Sequence, residues 1–100
     1  MSDLCLTLLC PPAVEEKLLD LLLMSPNANV FTSAHTAAHG LTFNHLNQTE
    51  QVLGRGFATQ VQVIIASADK DALLAAIQAQ LAGAGVRYWI TLVLEAGDIA

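Results

Sequence analysis

Residues 57–65 read Phe-Ala-Thr-Gln-Val-Gln-Val-Ile-Ile. Phe57, Thr59, Val61, Val63 and Ile65 fall on one side of an extended chain and Ala58, Gln60, Gln62 and Ile64 on the other, the period of two that marks a half-buried strand. What flanks this strand decides the fold. Downstream, Asp69 stands as an N-cap, Asp71 lies in the first turn, and Leu73, Leu74, Ile77 and Leu81 recur at helical spacing until Gly83 closes the helix. Val86, Tyr88, Ile90, Leu92 and Leu94 then alternate with Arg87, Trp89, Thr91, Val93 and Glu95 in a last strand, and the final five residues form a tail.

Upstream, a long loop at about 37–56 carries three glycines, Asn44, Asn47, Gln48 and Gln51 and no regular apolar period, with one helical turn near Glu50. Val30 to Thr36 reads as a short strand rich in Thr, Ser and Ala. Before it, Val14, Leu18, Leu21 and Leu22 share a helix face from Ala13 on, with Glu15 and Glu16 near the helix start and Ser25-Pro26-Asn27 as the stop. Leu4 to Cys10 is apolar on both faces, as a central strand should be, and Pro11-Pro12 ends it.

The order strand, helix, strand, strand, helix, strand is the split βαβ pattern. Right-handed crossovers place both helices on one face of a four-stranded antiparallel sheet. The fold class is therefore α+β, a ferredoxin-like βαββαβ sandwich in a single domain of 100 residues. Leu9, Ile64, Trp89 and Val93 fall on the other sheet face and would leave an apolar patch there. Association of subunits is the simplest cover, so the sheet implies an oligomer.

Composition excludes several functions. The net charge is -5, and the only cations are Lys17, Arg55, Lys70 and Arg87, too few to neutralise a nucleic-acid backbone. The longest apolar run, Ala72 to Ile77, is far short of the ~18 residues of a membrane span. Met1-Ser2-Asp3 lacks the positive charge of a leader, and Leu9 stands where a lipoprotein cleavage site before Cys10 needs a small residue. We expect a soluble cytoplasmic protein with no direct membrane insertion. Cys5 and Cys10, on one strand, would lie about 16 Å apart on opposite faces, beyond disulfide reach, and fit free thiols in a reducing compartment. No histidine is recognisably placed beside a Ser or Cys nucleophile, and no paired acids stand out. The chain does not read as an enzyme.

The chemistry concentrates in the loop. All three histidines, His35, His39 and His45, lie in one segment, and imidazole is the commonest metal ligand. With Glu50 or water completing the shell, they suit Zn, Ni, Co or Cu. Their spacing matches no tight motif, and the other reading is solvated loop histidines. Gly54-Arg55-Gly56 reads either as an anion-binding turn with Arg55 on a phosphate or carboxylate, or as a bend in which Arg55 pairs with Glu50 or Glu95. Trp89 reads either as a platform for a planar ligand or as packing between subunits.

Phe31-Thr32-Ser33, His39-Gly40, Glu50-Gln51-Val52 with Gly54-Arg55, and Arg87-Tyr88-Trp89 with Glu95 carry a family resemblance over nearly the whole chain. The chain resembles the PII signalling and CutA group, and more narrowly a PII-like bacterial family of unknown function, number 3240. The resemblance implies a homotrimer whose sheets line a central core. PII proteins bind adenine nucleotides between subunits through a glycine-rich loop with basic residues after the second helix. The matching connection here, Gly83-Ala84-Gly85-Val86-Arg87, lacks the length and lysines to cradle a triphosphate. The uridylylated tyrosine of PII has no counterpart, because the one tyrosine, Tyr88, lies in a strand. The narrower family resembles accessory proteins of heavy-metal efflux systems, which makes a metal ion the leading ligand, sensed through the loop and signalled to a membrane transporter. The alternatives are an adenine nucleotide in an intersubunit cleft near Arg55, Arg87 and Trp89, or an interaction module with no small ligand.

Overall fold

A computed structural model of the chain describes residues 3–26, 28, 30–39 and 55–100. Strand β1 runs Asp3–Cys10, a 3-10 turn covers Pro12–Val14, helix α1 Glu15–Met24, β2 Phe31–His39, β3 Arg55–Ala66, a second 3-10 turn Ser67–Asp69, helix α2 Lys70–Leu81 and β4 Arg87–Val93. The sheet order is β2-β3-β1-β4, and every neighbouring pair is antiparallel. This is the βαββαβ sandwich that the order of periodicities implied.

The register explains the core. Leu4, Leu6 and Leu8 of β1 stand opposite Ile65, Val63 and Val61 of β3, and Cys10 stands opposite Thr59. All are buried on the side that α1 covers with Leu18, Leu21 and Leu22 and α2 with Leu73, Ile77 and Leu81. Cross-strand pairs thus stack aliphatic side chains directly beneath the two helix stripes, which removes the apolar face of each element from water at once.

The other sheet face is filled differently. Thr7 of β1 lies between Gln62 and Trp89 in the register and is only 2% exposed. Its Oγ1 accepts a hydrogen bond from Gln62 Nε2 at 3.4 Å. Leu9, Ile64 and Val93 on this face are half-buried and Trp89 is 43% exposed. No helix of the described residues covers it, so the face combines a polar centre with an apolar border.

Element boundaries shift from the expected ones for local reasons. The strands take residues from both ends of the segment read as a loop at about 37–56: Ala37, Ala38 and His39 pair with Phe57, Gly56 and Arg55. An edge strand exposed on its outer side needs no apolar alternation, so periodicity cannot reveal it. Helix α1 starts at Glu15 because Pro11 and Pro12 favour a 3-10 turn, closed by Val14 N–H to the Pro11 carbonyl at 2.9 Å. Asp69 occupies the N-cap position of α2 but makes no side-chain cap, since its φ of -95° and ψ of -5° already follow the preceding 3-10 turn into the helix. Gly83 ends α2 at φ +79°, as a C-terminal glycine should. Strand β4 stops at Val93, two residues before Glu95.

Two expected outcomes follow from this packing. Leu6 is wholly buried, so Leu6→Ala should cost about 2–5 kcal/mol in urea unfolding; a loss well below that range would mean the site collapses or is not core. Cys5 is half-buried on the open face and Cys10 is buried under the helices, so maleimide in native buffer should leave Cys10 unmodified whether or not another subunit covers the open face, and rapid labelling of both thiols would contradict the assigned faces.

Candidate functional site

Helix α1 begins directly over the sheet at the end of β1, where the polypeptide has turned back through Pro11-Pro12. Its first residue, Glu15, meets two strands. Thr59 of β3 donates its hydroxyl to Glu15 Oε1 at 2.8 Å, and His35 Nε2 lies 2.9 Å from the same oxygen. An ionised carboxylate only accepts, so Nε2 carries the proton in this pair. His35 stands opposite Thr59 in the ladder and Cys10 opposite Thr59 from the other side. One carboxylate therefore joins α1, β2 and β3 beside a buried thiol.

The electrostatics follow from that geometry. The Thr59 hydrogen bond, and after it the His35 hydrogen bond, hold the Glu15 carboxyl below the usual glutamate range. Burial, and after it the negative charge of Glu15, push the Cys10 thiol up. Cys10 is thus kept protonated, the opposite of what a thiolate nucleophile or soft metal ligand needs. Thr59 is fully buried, so its hydroxyl serves the carboxylate and not a substrate.

Of the residues picked from the sequence, the structure brings some together and separates others. His35 and His39 fall on the same side of β2, paired with Thr59 and Arg55. Four residue steps along the strand set them about 13 Å apart, and side chains on one strand face project in parallel, so the pair does not converge on one ion by itself. His45 and Glu50 lie outside the described residues. Among the described residues no three His, Cys, Asp or Glu side chains gather as a metal cage. Arg87 and Trp89 share the open sheet face, opposite Leu9 and Thr7 of β1, while Arg55 belongs to β3 and pairs with His39 at the far end of the ladder.

Two concavities accompany these residues. One, of about 450 Å³, lies beside the cluster against Pro12, His35, Ala37 and Phe57, and Phe57 is 58% exposed there. The other, of about 290 Å³, lies where α2 gives way to β4 and is bordered by Leu8, Ile77, Leu81, Gly83, Gly85 and Tyr88. Gly83 and Gly85 both have positive φ, +79° and +84°, a conformation that turns the backbone tightly past the cavity mouth. Sequence reasoning missed Glu15 as a site residue. Its acidity in the first turn is explained by the helix dipole alone, and only the three-dimensional register places it on His35 and Thr59.

The family model described as Protein of unknown function (DUF3240) matches residues 1–100. The chain belongs to the DUF3240 family. No curated protein matches it. Among solved structures, a DUF3240 family protein from Shewanella baltica OS155 superposes with a TM-score of 0.83 at 16% identity, covering 100% of this chain and 99% of that one. CPII from Thiomonas intermedia K12, a nitrogen regulatory PII-like protein bound to ADP, AMP and bicarbonate, is similar with a TM-score of 0.74 at 13% identity, covering 99% of this chain and 98% of its own. The GlnK-ATP complex of B. subtilis reaches 0.68 at 12% identity, covering 92% and 82%. At these identities the likeness establishes the PII-like fold.

The low carboxyl pKa of Glu15 has a testable sign. A depressed folded-state pKa gives stability that is complete above the ordinary glutamate value of about 4.3 and is lost as pH falls through the folded value. Wild type should therefore exceed Glu15→Gln in urea stability near neutral pH, and the gap should close in acid below about pH 4. A gap that is constant across that range would show that the carboxylate charge contributes nothing.

Proposed function

We propose that this DUF3240 protein is a PII-like regulatory binding protein that acts as a homotrimer and takes an adenine nucleotide of low charge at the turn between α2 and β4. The observation that carries the reading is that turn. A cavity of about 290 Å³ with two left-handed glycines at its mouth sits on a fold that CPII, bound to ADP, AMP and bicarbonate, matches over 99% of this chain. Tyr88 and the aliphatic side chains beside it suit one face of a purine. Arg87, the single cation between Gly83 and Tyr88, stands on the opposite sheet face from Tyr88, so little positive charge serves the cavity, which favours AMP or ADP over ATP. The open sheet face, with Trp89 exposed and Leu9, Ile64 and Val93 half-buried, supports assembly through the sheets. A binding role rather than catalysis fits the buried Thr59 and the protonated, buried Cys10.

A second ligand reading rests on the two histidines at the end of β2. His35 and His39 occupy one side of the strand that leads into the segment containing His45 and Glu50. A Zn, Ni, Co or Cu ion held by one of these histidines together with His45 and Glu50 would be sensed at this end of β2 and signalled to a membrane transporter. An ion bound through His35 must compete with Glu15 for Nε2.

Native mass spectrometry of the untagged protein, alone and with ADP, AMP, ATP, Zn or Ni in separate samples, tests both readings. The expected spectrum is a trimer gaining one AMP or ADP per subunit. Metal uptake that His39→Ala weakens at least tenfold, roughly 1.4 kcal/mol, would favour the second reading. A trimer that takes neither ligand would leave an interaction module, and a monomer would overturn the assembly.

A further inference from the structure

Strand β2 is an edge of the sheet, and its own side chains do little to hold it. Thr32, Ser33, Ala34, His35, Ala37 and His39 are exposed, and Ala38 is the buried one; Phe31 reaches the core from the first position. An exposed edge with so little apolar burial opens at lower free energy than the strands beneath the helices. The bond that ties the middle of β2 to the helical layer is His35 Nε2 to Glu15 Oε1. We infer that Glu15 is a clasp, and that its release lets β2 open from the sheet as a local unit while the β1–β3 core stays folded.

The clasp is asymmetric, which is what makes it reversible. The hydrogen bond from Thr59, a residue with no exposure, holds the carboxylate in position whether or not His35 is engaged. His35 is 82% exposed in its side chain and Glu15 26%, so water replaces either partner without stranding a buried charge. Re-forming the bond then orders only the imidazole and its strand, because its acceptor is already placed. The clasp lies on the strand that leads into the β2–β3 connection. A ligand or partner that takes His35 Nε2 would thus loosen β2 and leave the rest of the fold in place. Its part in signalling rests on the regulatory reading above, while the clasp itself is tested without any ligand.

Hydrogen exchange read by mass spectrometry on the full chain provides the test, with wild type, Glu15→Ala, His35→Ala and the double variant at neutral pH. Each single variant should speed exchange of the protected β2 amides by roughly threefold or more, the range expected for one hydrogen bond. The double variant should exceed neither single one, because both remove the same bond, and the β1 amides should keep their rates. Unchanged β2 exchange, or effects that add in the double variant, would overturn the clasp. If Glu15→Ala also loosens β1, His35→Ala, which leaves Glu15 and its bond from Thr59 in place, must still give the β2-selective effect, and uniform loosening in that variant overturns the proposal. Should β2 respond as expected while ADP and Zn each leave its exchange untouched, the clasp stands and the regulatory reading fails.

Discussion

Strand β1 is bounded by β3 along all of its eight residues and by β4 along seven, and the architecture depends on satisfying both of its faces at once. Toward the helices it presents Leu4, Leu6, Leu8 and Cys10, each buried, and this row fixes where α1 and α2 must lie. A register slip of one residue would exchange that row for Asp3, Cys5, Thr7 and Leu9 and put an acid and a hydroxyl beneath the helix stripes, which the hydrophobic term forbids. The pairing is therefore pinned by side-chain identity. The crossover through Pro11-Pro12 and α1 leads to β2, whose register β3 sets, and the crossover through α2, Gly83 and Gly85 leads to β4, whose register β1 sets.

That constraint also explains which parts of the fold were legible in the sequence. The periods in Leu4 to Cys10, Phe57 to Ile65 and Val86 to Leu94 report burial on the sheet, and the stripes of α1 and α2 report the opposing layer. Elements whose form is dictated by burial could be read. Residues 37–39 and 55–56 read as loop from the sequence because a strand that packs against nothing on its outer side leaves no pattern, and its pairing comes from backbone hydrogen bonds that any residue except proline can make. The sequence also signalled Gly83 as the end of α2 and the separation of the two thiols, since each follows from conformational or geometric limits on one residue or one strand, whereas the left-handed turn at Gly85 carried no such signal.

The candidate site was less legible because it is built from partners far apart along the chain. His35 and Thr59 could each be noticed separately, but their meeting on Glu15 spans 20 and 44 residues respectively. Clustering in sequence drew attention to His35, His39 and His45, whereas the strand geometry spreads the first two by about 13 Å. A strand spaces its side chains widely, so residues close in sequence meet less readily than residues opposed across a ladder. The same geometry divides the proposed ligand residues, putting Arg87 and Trp89 on the open face and Tyr88 toward the cavity between α2 and β4.

Charge then constrains what this scaffold can hold. With a net charge of -5 and four cations, the chain repels polyanions at a distance, and only local donors can offset that field. Two of the cations flank the sheet ends, Arg55 at the start of β3 and Arg87 at the start of β4, and Lys70 already lies 3.6 Å from Asp71. A ligand with many phosphates would need more positive charge than one subunit brings to the turn after α2. On the proposed reading, a purine with one or two phosphates would ask this turn for stacking area and few charges. On that reading, the cavity between α2 and β4 and the glycine turn would recognise a ligand through shape more than through charge.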